Sequence, residues 1–193
     1  MVDKSDRKSP PAALQEIALA FRRIGWISLW TQVVLGAISA VILLFAGFSR
    51  DVAVETPRTG TGVGIFFALA GVIGLLVSIY WAFRYTRIAK QLQSANPVNR
   101  PRKADTVQLL RLGIIVNLIG MLLTIVGAEA IAGTLLAKTL TLPQATGAVL
   151  QIDPSRLIRS LDMLVVQANT NTIAAHFGGL VASLWLLNRV SRQ

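Results

Sequence analysis

Two ionisable side chains, Glu129 and His176, lie inside otherwise uncharged apolar runs of the sequence. Ionisable groups in the hydrocarbon of a membrane are energetically costly and often mark transport or binding sites. If the third run ends near residue 137 and the fourth begins near residue 167, Glu129 lies about 12 Å and His176 about 13.5 Å from the same outer surface. We therefore expect a Glu–His pair near the membrane midplane that binds a metal cation, iron or manganese by its ligand chemistry, or relays a proton.

Three amide side chains precede His176 in the fourth run, and we expect them to form a polar rim above the pair: Gln167, Asn169 and Asn171. Each of these groups also has a structural interpretation. Glu129 could be protonated and hydrogen-bonded to a neighbouring helix, and His176 could be a donor at a helix contact. The amides could cap a frayed helix end or contact lipid headgroups. Glu129 and His176 alone are too few ligands for a tight metal site, although symmetry in an oligomer could multiply them.

The residue types present exclude several kinds of catalytic site. The sequence has no cysteine and one histidine, which removes thiolate zinc sites, iron–sulfur clusters and cysteine nucleophiles. It also lacks the zincin motif, both standard phosphate-binding glycine loops and a plausible set for serine hydrolysis. We therefore predict a protein that is not an enzyme and has no resident cofactor.

The elements that must position Glu129 and His176 are membrane helices. The chain has 193 residues, of which 53% are hydrophobic and 15% are charged, with a formal net charge of +10. Such a charge alone could suggest a nucleic-acid partner, but the long uncharged runs exclude a soluble basic domain. A span needs about 20 apolar residues, and the sequence predicts four spans, at 27–48, 62–83, 112–137 and 167–188.

The second and fourth spans resemble each other at an offset of 105 residues, and a weaker match relates the first and third spans at 88. The stronger match predicts two tandem helical hairpins related by a pseudo-twofold axis along the membrane normal. It also places the start of the fourth span near Gln167. Small residues recur every four positions in both matched helices, as in close helix contacts. The predicted packing residues are Ala70, Gly74, Ser78, Ala175, Gly179 and Ser183, with Gln32 and Asn117 expected in interhelical hydrogen bonds.

The segments outside the spans are shorter. Residues 1–11 are expected to be a disordered tail, and residues 12–25 an interfacial helix that precedes a four-helix membrane domain at 26–193. A second interfacial helix is expected after Asp153-Pro154-Ser155, a helix-start signal. The predicted fold class is thus an all-α integral membrane protein with short interfacial helices.

The basic residues predict how the chain is oriented. Of the 19 Lys and Arg, 14 lie in the N-terminal segment, the second loop and the C-terminus, and 5 lie in the first and third loops. Cytoplasmic segments carry the excess of Lys and Arg. Both termini are therefore predicted to be cytoplasmic, or stromal in a plastid.

Several stretches resemble one known family when taken together: Phe21 to Trp30, Val166 to Ile173, Ala175 to Phe177 and Leu184 to Asn188. They are similar to a four-helix membrane family of cyanobacteria and plastids, over roughly residues 12–190. Its plant members are called permease in chloroplasts and are also described as an inner-envelope component of the protein import translocon. The resemblance implies either iron transport or a role in protein translocation, and it supplies no site residues.

Two functions follow as hypotheses. The first is a small permease for a metal cation, with iron favoured by the resemblance. We expect a homo-oligomer, because four helices rarely enclose a path alone. The alternative is a non-catalytic membrane subunit of a protein translocation or assembly complex, with translocon subunits and membrane lipid as partners and no nucleic acid. The expected location is the plasma membrane of a bacterium, of cyanobacterial type because no long transit peptide precedes the first span, or the plastid inner envelope in a eukaryote.

Overall fold

The computed structural model describes residues 11–52, 59–94, 96–140 and 160–192, and these form four long α-helices without a strand. A short 3-10 turn, Pro97–Asn99, stands between the second and third helices. Each helix contains a stretch long and apolar enough to cross a membrane, so the prediction of a four-helix membrane protein is confirmed. The helices are α1 (Ala12–Val52), α2 (Thr59–Leu92), α3 (Lys103–Leu140) and α4 (Ser160–Ser191).

The helices form a closed ring in which each packs against the next in sequence and α4 packs against α1. Buried positions recur at alternating intervals of three and four residues along each helix. This is the seven-residue repeat of helices that pack side by side at a small angle. On α2 the buried row includes Gly64, Ala68, Gly71, Leu75, Ser78, Ala82 and Tyr85.

The interior has two apolar ends and a polar middle. One end holds the larger cluster, which includes Phe21, Leu110 and Leu186, and joins the start of α1 and α3 to the end of α2 and α4. The other end holds a smaller cluster, which includes Leu43 and Ile131. Apart from Leu75, the buried residues between them are small or polar, as expected where association in lipid depends on close packing and hydrogen bonds.

All four helices begin earlier than the spans predicted for them, and in α1 and α4 the extension includes a segment predicted to be interfacial. α1 is continuous from Ala12, so residues 12–25 and the first predicted span form a single helix. The buried row runs without a break through Phe21, Gly25 and Ser28, and no proline interrupts it, which explains the continuity.

α4 begins at Ser160 and includes residues assigned to the second interfacial helix. Asp162 and Val165 are buried in the bundle, so this segment continues the membrane helix. The start signal at 153–155 and residues 1–10 of the expected tail lie outside the described residues.

Candidate functional site

His176 lies in the polar middle of the bundle and is fully buried. Its Nε2 is 3.1 Å from the carbonyl oxygen of Gly71 on α2. Its Nδ1 is 3.3 Å from Oδ1 of Asn117 on α3. The imidazole therefore connects α4 to both α2 and α3.

Asn117 is the centre of this network. Its Oδ1 accepts a hydrogen bond from the Ser78 hydroxyl at 2.7 Å. Its Nδ2 donates to the carbonyl oxygen of Gly113, one turn earlier on α3, at 2.8 Å. These two bonds fix the amide so that its oxygen faces His176. The structure thus confirms the interhelical hydrogen bond predicted for Asn117.

Both ring nitrogens of His176 face oxygen acceptors. A neutral imidazole has one N–H donor, and an imidazolium has two. The neutral ring can therefore satisfy either Gly71 or Asn117, whereas the protonated ring satisfies both.

The space for the ring depends on glycine. A Cβ on Gly120 of α3 would overlap the imidazole of His176. A Cβ on Gly74 of α2 would lie 3.3 Å from the Cα of Gly120. Helices α2 and α3 therefore approach to backbone contact beside the ring.

Gln32 of α1 lies in the same polar middle of the bundle as His176. It is 1% exposed, and its Nε2 donates to the Ser28 hydroxyl at 2.9 Å. A Cβ on Gly179 would overlap both Gln32 and Asn117, so this glycine allows the two amides to meet α4. The Oε1 of Gln32 has no hydrogen-bond partner among the described residues.

The polar layer extends along the axis in both directions. Toward the end of α4, the Tyr85 hydroxyl is 2.9 Å from the Ser183 hydroxyl, which donates to the carbonyl oxygen of Gly179 at 2.8 Å. Toward its start, the Ser39 hydroxyl donates to the carbonyl oxygen of Ala168 at 2.8 Å. All four helices thus contribute polar groups to the interior.

Glu129 does not join His176. Its side chain is exposed on the outside of α3. Lys138 of α3 forms an ion pair with Asp162 of α4 at 3.1 Å. His176 lies 14 residues after Asp162. Because α3 and α4 are antiparallel, the corresponding position on α3 lies 14 residues before Lys138, at Thr124. The contact of His176 with Gly120 agrees with this register and places Glu129 about 13.5 Å farther along α3. The structure therefore does not bring Glu129 and His176 together within the chain.

The amide rim divides between two surfaces. Gln167 is exposed and donates to Oδ1 of Asn171 at 3.0 Å along the outer side of α4. Asn169 is buried, its Nδ2 donates to the carbonyl oxygen of Val165 at 3.2 Å, and its Oδ1 has no partner in the described part of the chain. The described residues contain no group of three or more His, Asp or Glu that could hold a metal ion.

The small residues expected at helix contacts lie on or beside the buried rows. Ser78, Ala175, Gly179 and Ser183 are buried, and Ala70 and Gly74 are partly buried. Gly71, Gly120 and Tyr85 also contribute to this interior and were not predicted from the sequence. The seven-residue recurrence of glycine and serine at 64, 71 and 78 and of glycine at 113, 120 and 127 could have identified the two glycines.

Comparisons with known proteins found a family model and a relative that match most of the chain. A family model described as "Protein of unknown function (DUF3611)" matches residues 11–191. The chain is 36% identical over 196 residues to "Protein TIC 21, chloroplastic" of Arabidopsis thaliana. That alignment covers 98% of this chain and 63% of the relative, so the chain spans somewhat less than two thirds of the curated protein. No solved structure matches.

Proposed function

The chain belongs to the DUF3611 family, and from its similarity to the plastid relative we propose that it is a non-catalytic subunit of a membrane complex that translocates or assembles proteins. It is a multi-pass membrane protein, and the plastid name of its relative supports a location in a plastid or cyanobacterial-type membrane. The sequence resembles a family whose plant members are described as components of the protein import translocon. The role of a subunit in such a complex is our proposal for this chain.

One observation carries the proposal: the polar side chains of the interior bind the bundle to itself. His176, Asn117 and Ser78 contact one another or backbone carbonyls, and the helices beside them approach to backbone contact at Gly74 and Gly120. An interior used in this way holds a subunit together. Contacts with other proteins must then use the outer faces.

The experiment is affinity purification of the tagged full chain from its native membranes in mild detergent, followed by quantitative mass spectrometry. We expect a second membrane protein to co-purify at a fixed ratio. A matched preparation of an unrelated four-helix membrane protein with the same tag controls for carry-over. Recovery of this chain alone, across several detergents, contradicts the subunit role.

A metal-cation permease, with iron as the favoured substrate, is the second candidate. Two observations favour it. Buried polar side chains follow one face of α4, at Asn169, Thr172, His176 and Ser183. The Oδ1 of Asn169 also has no hydrogen-bond partner among the described residues. The test is uptake of ferrous or manganous ions into liposomes that contain the purified chain. Uptake above empty liposomes that falls in His176→Ala and Asn169→Ala, but not in the outward-facing Thr170→Val, supports a path through the interior. No uptake by the unaltered chain removes this candidate.

A further inference from the structure

Helices α1 and α2 approach each other closely at the end of the bundle that holds the larger apolar cluster. A Cβ on Gly25 of α1 would lie 3.4 Å from the backbone nitrogen of Thr86 on α2, and a Cβ on Gly36 would overlap Leu75. These two contacts are eleven residues apart on both helices, so they define one antiparallel register. The turn of α1 before Gly25 is therefore level with the turn of α2 after Thr86.

This level of the bundle carries cations from both helices. Arg22 and Arg23 lie there on α1, and Arg87 and Lys90 lie there on α2. All four side chains are exposed, and none has a hydrogen-bond or ion-pair partner among the described residues. The guanidinium carbon of Arg87 lies 4.8 Å from the centre of the Phe83 ring, which restrains this cation on the outer side of α2.

The carboxylates at this end of the bundle do not offset these charges. Glu16 of α1 pairs with Arg189 of α4 at 3.0 Å, and the sequence of α2 contains no Asp or Glu. Asp105, in the first turn of α3, forms no ion pair among the described residues. Like charges at short range repel each other. The four cations therefore favour an anion on the outer side of the α1–α2 contact, and the described residues do not supply one.

Aromatic side chains place these cations at the depth of lipid headgroups. Trp26 and Trp30 are exposed on α1, and their rings stack with centroids 6.2 Å apart. Tyr80 of α2 is exposed at the level of Trp30 in the same register. Tryptophan and tyrosine concentrate at the membrane interface. The cations lie on one side of these rings, and exposed apolar side chains such as Val34 and Ile73 lie on the other.

We propose that Arg22, Arg23, Arg87 and Lys90 form a binding site for the headgroup of an anionic lipid. The headgroup supplies a phosphate, which a guanidinium binds through two parallel hydrogen bonds. The acyl chains then lie along the exposed apolar side chains of α1 and α2. An acidic segment of another protein has the same charge, but the aromatic rings beside the cations favour a ligand that continues into the hydrocarbon.

The test measures which lipids the full chain retains. The purified chain is placed in liposomes with equal amounts of phosphatidylglycerol, which has a net negative charge, and phosphatidylcholine, which has none. It is then extracted in mild detergent, and native mass spectrometry counts the bound lipids. We expect phosphatidylglycerol in roughly tenfold excess. Arg22→Gln and Arg87→Gln are each expected to reduce this excess about fivefold, whereas Arg22→Lys, which keeps the charge, retains most of it.

Arg102→Gln is the charge-matched control. Arg102 is exposed at the same end of the bundle, but it precedes α3, the helix diagonal to α1 in the ring. Equal retention of the two lipids by the unaltered chain, or an equal fall in Arg102→Gln, overturns the site. Loss of a co-purifying protein in Arg22→Gln with an unchanged lipid ratio also overturns it, because that result assigns the surface to an acidic partner.

This inference does not depend on the proposed subunit role. A chain that retains phosphatidylglycerol through Arg22 and Arg87 but purifies without a second protein keeps the inference and loses the subunit role. A chain that co-purifies with a second protein but retains the two lipids equally does the reverse.

Discussion

At the scale of single residues, glycines decide where the polar side chains can lie. His176 occupies space that a methyl group on Gly120 would fill. Gly179 likewise leaves space for Gln32 and Asn117. The hydrogen bonds of the interior therefore depend on glycines, which have no side chain to form such bonds themselves.

Gly120→Ala is the sharpest test of this dependence. The added methyl group overlaps the imidazole of His176, and we expect a loss of about 1–3 kcal/mol of stability from overpacking. The measurement is thermal or denaturant-induced unfolding of the purified chain in detergent. Gly47→Ala, whose methyl group meets nothing within 4 Å, is the matched control and is expected to be neutral or slightly stabilising. A similar loss in both variants would show that the space beside His176 is not required.

At the scale of helices, ion pairs connect neighbouring elements at the two ends of the bundle. Lys138 of α3 and Asp162 of α4 pair at 3.1 Å, with side chains 20% and 11% exposed. At the opposite end, Arg189 of α4 and Glu16 of α1 pair at 3.0 Å, with side chains 45% and 64% exposed. The first pair sets the register of α3 against α4, because its acidic partner is buried within the bundle.

Asp162→Asn is therefore expected to destabilise the bundle more than Glu16→Gln does. The loss of a charged hydrogen bond at a largely buried site is about 1.5–3 kcal/mol, whereas an exposed pair contributes about 0.2–1 kcal/mol. Unfolding of both variants in one detergent, at two salt concentrations, makes the comparison. Equal losses, or a larger loss for Glu16→Gln, would contradict the assigned roles of the two pairs.

At the scale of the whole molecule, four antiparallel helices bring the start of α1 and the end of α4 to one end of the bundle. The contact between Glu16 and Arg189 shows this directly. The helices are also longer than a hydrocarbon layer requires: α3 has 38 residues, about 57 Å against about 30 Å. Part of the bundle therefore projects beyond the hydrocarbon.

The charge distribution predicts which side carries the termini. Reporter fusions at the N-terminus and the C-terminus are expected to lie on the same, cytoplasmic or stromal, side, because most Lys and Arg flank that end. A reporter inserted between α1 and α2 is the matched control and is expected on the opposite side. Termini on the outer side would contradict the positive-inside assignment, and termini on different sides would contradict the four-helix topology.

The sequence by itself determined the number of helices and their membrane character. These properties depend on local composition and on spacing along one chain, which hydropathy and the recurrence of residues record directly. The early start of α1 could also have been inferred, because its apolar row continues from Phe21 to Ser28 without a break.

Only the tertiary structure decided which ionisable side chain faces the interior. Glu129 and His176 have similar sequence surroundings, yet one is exposed and the other is fully buried. Their relative depth depends on the register of α3 against α4, and their direction depends on how each helix is rotated about its axis. Both are set by contacts between helices, such as Gly120 with His176 and Lys138 with Asp162. The spacing of residues within one helix does not contain that information.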